Sequence, residues 1–238
     1  MTTKIIVSST YPSLHAFLKT IPTIFAAQGE TIYKARNEIK LLNINGLFIV
    51  VKRYKKPHFI NQIAYGFLRK SKAHRSFEYA QLLIKQNINT PSPIAYIEQR
   101  TFGLLTDSYF ISTFCTYTHL MRELWDYSAP DKHELIQSFA AFTVQLHSKK
   151  IYPVDYSPGN ILFEKTNDGF QFSLIDINRM RFTEVSSQKA AFGFRRLRVD
   201  ESTLTEIAET YAKIRSIEEK KFVQKTLHYH RQFWKKPH

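Results

Sequence analysis

Cysteine, glycine and long apolar runs are scarce in this 238-residue sequence. The single cysteine, Cys115, cannot form a disulfide within the chain, and no Cys/His cluster surrounds it, so we expect a reducing compartment and no cysteine-based metal centre. The longest purely aliphatic and aromatic run, residues 47–51, is too short to cross a membrane, and residues 1–20 lack the pattern of a signal peptide. These absences predict a protein that neither spans a membrane nor is secreted.

Acidic residues are also few, because 20 Asp and Glu stand against 34 Lys and Arg and give a formal net charge of +14. Such an excess favours anionic partners, namely nucleotides, nucleic acid or the anionic face of a membrane. Much of the excess lies in two stretches. Lys52–Arg75 carries eight Lys or Arg and no acid, and Arg179–Arg198 carries six against one Glu. The charge alone does not choose among these partners.

Hydrophobic patterning predicts an α+β fold of two lobes, a small antiparallel sheet with one helix in residues 1–115 and a mainly helical lobe in residues 116–238. The chain, 43% hydrophobic, is long enough to bury the cores that this requires. In the first lobe the pattern predicts a helix over 72–86, a turn at Asn45-Gly46 and strands over 32–33, 39–44, 47–51, 94–99 and 108–115. In the second it predicts helices over 131–149, 201–214 and 217–234, a loop over 151–160 and strands over 161–163 and 170–175.

Four polar features follow one another in an order that is informative. Lys52 ends an apolar strand, Glu78 lies in the following helix, Asp155 and Asn160 share a loop five residues apart, and Asp176 ends a second apolar strand. Phosphoryl transfer needs a cation that holds the nucleotide phosphates, a partner for that cation, a base near the acceptor hydroxyl and oxygen ligands for magnesium. The four features supply all of these groups.

Taken singly, each feature also has a purely structural explanation. Lys52 opens a basic run and could be a solvated charge, Glu78 could be an ordinary helix glutamate, and residues 155–160 could form a turn closed by an Asx hydrogen bond. Asp176 favours the functional interpretation, because packing explains poorly a carboxylate that ends the apolar run Phe172–Ile175, whereas magnesium binding explains it well. The combination therefore predicts a phosphotransferase.

With these residues in place, the sequence resembles the lipopolysaccharide kinases that phosphorylate inner-core sugars, especially the branch of kinases acting on Kdo (3-deoxy-manno-octulosonic acid). The resemblance covers the chain from about Gly29 to Trp234. It rests on short motifs at residues 36–38, 51–54, 75–80, 90–94, 155–163 and 174–182.

The resemblance implies a protein-kinase-like two-lobed fold and ATP-dependent phosphorylation of a Kdo hydroxyl on a lipid A precursor. The acceptor would be a lipid-linked sugar of the Kdo-lipid A type, at the cytoplasmic face of a Gram-negative inner membrane. Carried over by motif, Asp155 would be the catalytic base, and Asn160 and Asp176 would bind Mg²⁺.

In the first lobe the resemblance implies that Lys52 clamps the ATP phosphates and that Glu78 holds Lys52 in place. No Gly-x-Gly-x-x-Gly motif precedes Lys52, so a turn over residues 33–37 would have to cover the phosphates. This assigns Arg36 and Asn37 to nucleotide binding.

Two further differences from kinases, together with the net charge, leave other functions open. Pro153 stands where kinases usually carry His, and Asp176-Ile177-Asn178 replaces the Asp-Phe-Gly triplet. A catalytically weak pseudokinase, a basic binding module, or a kinase acting on heptose or another small acceptor are therefore alternatives. We expect a monomer without a nucleic-acid partner, since the basic stretches lack an RNA-binding motif.

The two basic stretches each allow two interpretations. The apolar residues within Lys52–Arg75, such as Phe59 and Ile63, suit peripheral contact with an anionic membrane but could equally pack a helix onto the sheet. Arg179–Arg198 could contact the phosphates of lipid A or be an exposed loop.

Overall fold

The computed structural model of the chain describes residues 1–35, 37–54 and 70–235, which belong to two compact units, Met1–Cys115 and Thr116–His238. The middle of the first basic stretch, residues 55–69, and with it the predicted membrane contact, lies outside the described residues, as does Arg36. Within the described ranges, no helix is long and apolar enough to cross a bilayer.

The first unit is built on one six-stranded antiparallel sheet. Its strands are β1 (Thr2–Val7), β2 (Glu30–Lys34), β3 (Asn37–Ile44), β4 (Leu47–Tyr54), β5 (Pro93–Thr101) and β6 (Leu104–Thr113), and their order across the sheet is β1-β5-β6-β4-β3-β2. The predicted turn between β3 and β4 is present: Asn45 and Gly46 both have positive φ, of 51° and 89°. Two such residues in succession form the tight turn that suits the twist of a hairpin.

One face of this sheet is covered by α1 (His15–Ile24). Leu18, Ile21 and Phe25 point from this segment into a core that includes Val51 and is almost fully excluded from solvent. The sequence-based prediction gave this unit one helix and left the N-terminal residues unassigned. The segment begins without a side-chain cap and contains a proline, which removes the usual signals of a helix.

The opposite face of the sheet is covered by α2 (Lys72–Lys85). The His74 ring stacks on Tyr96 of β5 with centroids 4.5 Å apart, and the Tyr54 hydroxyl of β4 lies 2.7 Å from Ser76 Oγ. Because side chains alternate along a strand, Lys52 lies on the same face as Tyr54 and therefore on the side that α2 covers.

The described part of the second unit contains four α-helices and five short strands. The helices are α3 (Lys132–Ser148), α4 (Ser187–Phe194), α5 (Glu201–Ile214) and α6 (Glu219–Trp234). The strands β7 (His119–Leu120), β9 (Ile161–Thr166) and β10 (Gly169–Leu174) form one sheet in the order β10-β9-β7, and β8 (Ile151–Pro153) pairs with β11 (Met180–Phe182).

The second basic stretch, Arg179–Arg198, is structured in this unit and is not a loop. It includes β11 and α4, and the α4 residues Ala190, Ala191 and Phe194 are buried. Phe194 packs edge-on against Tyr211 of α5 at a centroid distance of 5.3 Å. The sequence pattern concealed this helix because small apolar residues give it little contrast between faces.

A buried histidine joins α3 to α5. The Tyr211 hydroxyl accepts a hydrogen bond from Arg215 Nη1 at 2.8 Å and lies 2.8 Å from His147 Nδ1. Because the Arg215 bond uses only an acceptor site of the hydroxyl, the Tyr211 proton is available to Nδ1, an arrangement that a neutral imidazole satisfies. Burial, with the nearby Arg215 and Lys189 cations, lowers the pKa of His147 from 6.5 to about 3.

This lowered pKa predicts a loss of stability in mild acid. The unfolded chain takes up a proton at His147 below pH 6.5 and the folded chain does not, so the stabilisation is present above pH 6.5 and is lost as the pH falls towards 3. From pH 7 to pH 5 we expect the free energy of unfolding to fall by about 2 kcal/mol on this account.

Urea titrations followed by tryptophan fluorescence measure this loss, because both tryptophans, Trp125 and Trp234, belong to the second unit. His147→Gln should show a shallower dependence on pH, whereas His228→Gln, at an exposed histidine, should retain that of the wild type. Equal pH dependence in wild type and His147→Gln would contradict the assignment.

Candidate active site

The segment from Asp155 to Asn160 connects β8 to β9, and these two strands pair with different partner strands. The predicted loop is shorter than expected, because residues 151–153 form β8. Pro153 lies opposite Met180 of β11, and the next residue continues the pairing, since Val154 N–H donates to the Arg179 carbonyl at 3.0 Å. Pro153 stands at a non-hydrogen-bonded position of this pairing, so its missing N–H removes no bond between β8 and β11.

Tyr156 fastens the loop to α3. Its ring stacks on Phe139 with centroids 5.7 Å apart, and its hydroxyl lies 2.8 Å from Thr143 Oγ1. The side chain is 3% exposed, and burial raises the pKa of its hydroxyl. The buried ring stabilises the contact with α3, and the hydrogen bond of its hydroxyl fixes its orientation. Tyr156 therefore holds the loop in place against α3.

Asn160 closes the loop on itself. Its Nδ2 donates to the Asp155 carbonyl at 3.1 Å and to Ser157 Oγ at 2.9 Å. The two amide protons are thereby used inside the loop. The remaining polar atom, Oδ1, is the oxygen that a metal ion would use.

Asp176 is brought to Asn160 through the backbone. Ile175 N–H donates to the Asn160 carbonyl at 3.0 Å, and Asn178 Nδ2 donates to Asp176 Oδ1. One carboxylate and one amide oxygen are a sparse set, which suits Mg²⁺ because this ion takes its other ligands from water and substrate phosphates. Within the described residues no group of three His, Cys, Asp or Glu side chains could hold a metal ion.

The Asp155 carboxylate is held by two arginines that the sequence reading did not assign to the site. Arg196 Nη1 donates to Asp155 Oδ1 at 2.9 Å, and Arg179 Nη1 lies 3.8 Å from Oδ2. The Asp155 side chain is 28% exposed. The basic stretch Arg179–Arg198 was the one signal of these contacts, and it did not say which arginines turn inward.

A third arginine packs against the loop at Gly159. A Cβ built on Gly159 would lie 2.5 Å from Arg122 Nη2, closer than any side chain tolerates. Glycine therefore permits the close approach of the Arg122 guanidinium. Arg122 belongs to the short helical segment Met121–Trp125 and was not singled out from the sequence.

In the first unit, Lys52 is 7% exposed, and its Nζ lies 5.4 Å from the centroid of the Tyr54 ring. Its strand pairs on one side with Ile39 and on the other with Phe110, which places it well inside the sheet. The structural explanation of Lys52 as a solvated charge is therefore wrong, because the residue is buried.

Glu78 lies on α2, on the side of the sheet that Lys52 faces. Its carboxylate accepts hydrogen bonds from Lys70 Nζ at 2.5 and 2.8 Å, and His74 Nε2 lies 3.2 Å from Oε1. Asn37 begins β3 opposite Tyr54. The structure thus places Lys52, Glu78 and Asn37 in the first unit, and it brings Asp155, Asn160 and Asp176 together in the second.

A sequence model of the lipopolysaccharide kinase (Kdo/WaaP) family matches residues 38–207, more than half of the chain. This match confirms the resemblance that the motifs indicated. No curated protein sequence matches the chain significantly.

Two solved structures resemble the fold. WaaP in complex with acyl carrier protein superposes with a TM-score of 0.64 at 14% identity, covering 97% of this chain and 99% of that one. The Rio2 kinase–ADP/Mg²⁺–phosphoaspartate complex from Chaetomium thermophilum superposes with a TM-score of 0.50 at 15% identity, covering 87% of this chain and 64% of that one. They confirm the predicted α+β protein-kinase-like fold, and at these identities they bear on the fold alone.

The hydrogen bonds of Asn160 predict the effect of Asn160→Asp. The substitution keeps Oδ1 but replaces the amide donor by an oxygen that faces the Asp155 carbonyl, a group that can only accept. We expect a loss of about 1–3 kcal/mol in the free energy of unfolding, measured by urea titration near neutral pH. Asn167→Asp, in the exposed turn between β9 and β10, makes the same chemical change and should be close to neutral. Equal losses in the two variants would exclude this role for the amide.

Proposed function

The chain belongs to the lipopolysaccharide kinase (Kdo/WaaP) family, and on this premise we propose that it transfers the γ-phosphoryl group of ATP to a hydroxyl of Kdo in the lipopolysaccharide inner core. The observation that carries this proposal is the convergence of three predicted residues in the second unit. The Asn160 side chain bonds to the Asp155 backbone, and the Asn160 backbone bonds to the residue before Asp176.

Asp155 acts as the general base in this proposal. The acceptor hydroxyl gives its proton to the Asp155 carboxylate while its oxygen attacks the γ-phosphorus. The bond between the γ-phosphorus and the bridging oxygen breaks, and ADP leaves with that electron pair. The products are a sugar phosphate, ADP and one proton, which balances the reaction.

Asn160 Oδ1 and the Asp176 carboxylate are the oxygens that would hold Mg²⁺. When bound, the ion neutralises charge on the nucleotide phosphates. The role of the protein is to fix the two oxygens, and the bond between Ile175 N–H and the Asn160 carbonyl does so through the backbone. Asn178, which donates to Asp176 Oδ1, orients the carboxylate.

Lys52 would hold the ATP phosphates, with Glu78 as the residue that positions it. The position of Lys52 supports this role, because its side chain is 7% exposed and lies on the face of the sheet that α2, the helix of Glu78, covers. Asn37 and Arg36 would contribute to the turn that covers the nucleotide, in place of a glycine-rich loop. Asn37, at the start of β3, pairs with Tyr54, which lies two residues after Lys52 at the end of β4, and this proximity is consistent with the assignment.

The acceptor in this proposal is linked to lipid, so the protein would act at the cytoplasmic face of the inner membrane of a Gram-negative cell. The net charge of +14 supports peripheral contact with anionic lipid there. Heptose and other small hydroxyl acceptors are the alternatives within the same chemistry.

Transfer of labelled phosphate from ATP to a Kdo-lipid A precursor tests the proposal. The wild type should be active, and Asp155→Asn and Asp176→Asn should each lose about 10²- to 10⁴-fold in kcat, since one lacks the base and the other a metal-binding carboxylate. Asp168→Asn, at an exposed aspartate in the turn after β9, is the matched control and should keep full activity. Activity retained by both Asp155→Asn and Asp176→Asn would remove the assigned mechanism.

Thermal denaturation with ATP and Mg²⁺ tests nucleotide binding separately from transfer. A ligand bound only by the folded state raises the melting temperature, so the wild type should be stabilised at millimolar ATP. Lys52→Met should reduce the shift, and Lys85→Met, at an exposed lysine in the last turn of α2, should not. Absence of any shift in the wild type would favour a basic binding module, which the missing glycine-rich loop leaves as the second candidate.

A further inference from the structure

The carboxylate assigned as base is engaged by cations in this structure. Arg196 Nη1 donates to Oδ1 at 2.9 Å, and Arg179 Nη1 lies 3.8 Å from Oδ2. Both oxygens of Asp155 thus face a guanidinium. An acceptor hydroxyl that is to hydrogen-bond to Asp155 has to share the carboxylate with these groups or replace one of them.

Arg196 is firmly placed next to the loop. The following residue, Leu197, is buried, and its carbonyl lies 2.9 Å from His230 Nε2 of α6. The Arg196 guanidinium carbon lies 5.4 Å from the centroid of the Phe233 ring, on the same helix. These contacts limit how far the guanidinium can move, so it stays within reach of whatever binds beside Asp155.

The contact with Asp155 does not satisfy Arg196 fully. Across the ranges that the structure describes, its buried Nε–H has no acceptor within hydrogen-bond distance. An unpaired buried donor is costly, and a planar guanidinium is best satisfied by an oxyanion that takes two of its N–H groups. The contact with Asp155 therefore uses only part of the hydrogen-bonding capacity of this guanidinium.

The charges at this point do not balance. At Asp155 one carboxylate faces two guanidinium groups, which leaves one unit of positive charge. Arg122, against Gly159 in the same loop, adds a cation, and the predicted metal ligand Asp176 adds an anion. An anionic group next to the accepting hydroxyl would complete this charge set. A neutral sugar would leave it incomplete.

We propose that Arg196, assisted by Arg179, binds a carboxylate of the acceptor and thereby selects a sugar acid over a neutral sugar. This inference rests on the proposed kinase function and adds the residues that would recognise the carboxylate of its acceptor. The group that Arg196 holds in this structure is itself a carboxylate, that of Asp155, so the geometry is already that of an arginine–carboxylate pair. When the acceptor carboxylate takes the guanidinium, Asp155 Oδ1 is released to the hydroxyl.

The chemical step is unchanged by this exchange of partners. The hydroxyl proton moves to Asp155, the hydroxyl oxygen bonds to the γ-phosphorus, and ADP leaves. The acceptor carboxylate stays ionised throughout and pairs with Arg196. Selectivity arises because only an acceptor with this group frees the base.

The test compares a methyl glycoside of Kdo with its carboxamide, a neutral analogue of the same shape, in the kinase assay. The wild type should favour the acid by about 10- to 100-fold in kcat/KM, the range of a charge-assisted hydrogen bond. Arg196→Gln should remove most of this preference, because the acid loses its partner while Asp155 is released for the amide as well as for the acid. Arg196→Lys keeps the positive charge but lacks the planar guanidinium that can donate two parallel hydrogen bonds to a carboxylate, so it should retain part of the preference.

Arg198→Gln is the matched control, because it removes the same charge from an exposed position two residues along the chain. It should leave the preference for the acid intact. Equal slowing of acid and amide by Arg196→Gln would overturn the inference, since Arg196 would then act on Asp155 alone. A melting temperature close to that of the wild type for either Arg196→Gln or Arg196→Lys shows that the effect does not arise from unfolding.

Calorimetric titration of the same two glycosides without ATP separates this inference from the kinase function. Binding of the acid that Arg196→Gln weakens about 10-fold or more supports the inference even if the wild type transfers no phosphate, a result that would refute the proposed function alone. Equal binding of acid and amide by an active wild type would refute the inference and leave the kinase function standing. Tighter binding of a heptose that carries a phosphomonoester and no carboxylate would also overturn it, because the guanidinium groups would then select a phosphate.

Discussion

The hydrogen bond from Ile175 N–H to the Asn160 carbonyl joins the two segments on which the candidate site depends. Asn160 ends the loop that carries Asp155, and Ile175 immediately precedes Asp176. Because the bond is between backbone atoms, it fixes the spacing of the two segments whatever the side chains do. The pairing of Ile161 with Leu174 at the adjacent ends of β9 and β10 extends the same constraint into the sheet. The register of β9 and β10 thus sets the distance between the segments of Asn160 and Asp176, so two short side chains are enough to bring their oxygens close together.

Electrostatics then distinguishes this site from a bare pair of carboxylates. Arg196 and Arg179 lie against Asp155, and Arg122 packs on Gly159, so cations surround the loop although the base proposed within it is an acid. This local excess gives part of the net charge of +14 a specific place, next to the predicted base. A field of this kind favours an anionic nucleotide and an anionic acceptor together. It also explains why composition alone was ambiguous, since the same excess suits any anion.

The sequence was sufficient for features that depend on local pattern. The hairpin at Asn45-Gly46, the amphipathic helix α3 and the order of Lys52, Asp155 and Asp176 follow from periodicity, turn chemistry and motif. It was insufficient where tertiary contacts decide. Residues 15–24 form a helix because Leu18 and its neighbours are buried on the sheet, although the segment has no cap and contains a proline. Arg196 enters the site through its position after α4, which no local pattern encodes.

Pro153 illustrates how a departure from a motif can be compensated elsewhere. A histidine at this position would support the loop by side-chain hydrogen bonds, which proline cannot make. Here the support comes from the backbone on one side, where Val154 N–H bonds to the Arg179 carbonyl, and from packing on the other, where Tyr156 stacks on Phe139. Arg179 is therefore held at its main chain by the residue that precedes Asp155 while its side chain faces the Asp155 carboxylate. Arg179 therefore supports the loop through its backbone and places a positive charge beside the Asp155 carboxylate. For this reason the absence of a supporting histidine need not loosen the position of Asp155.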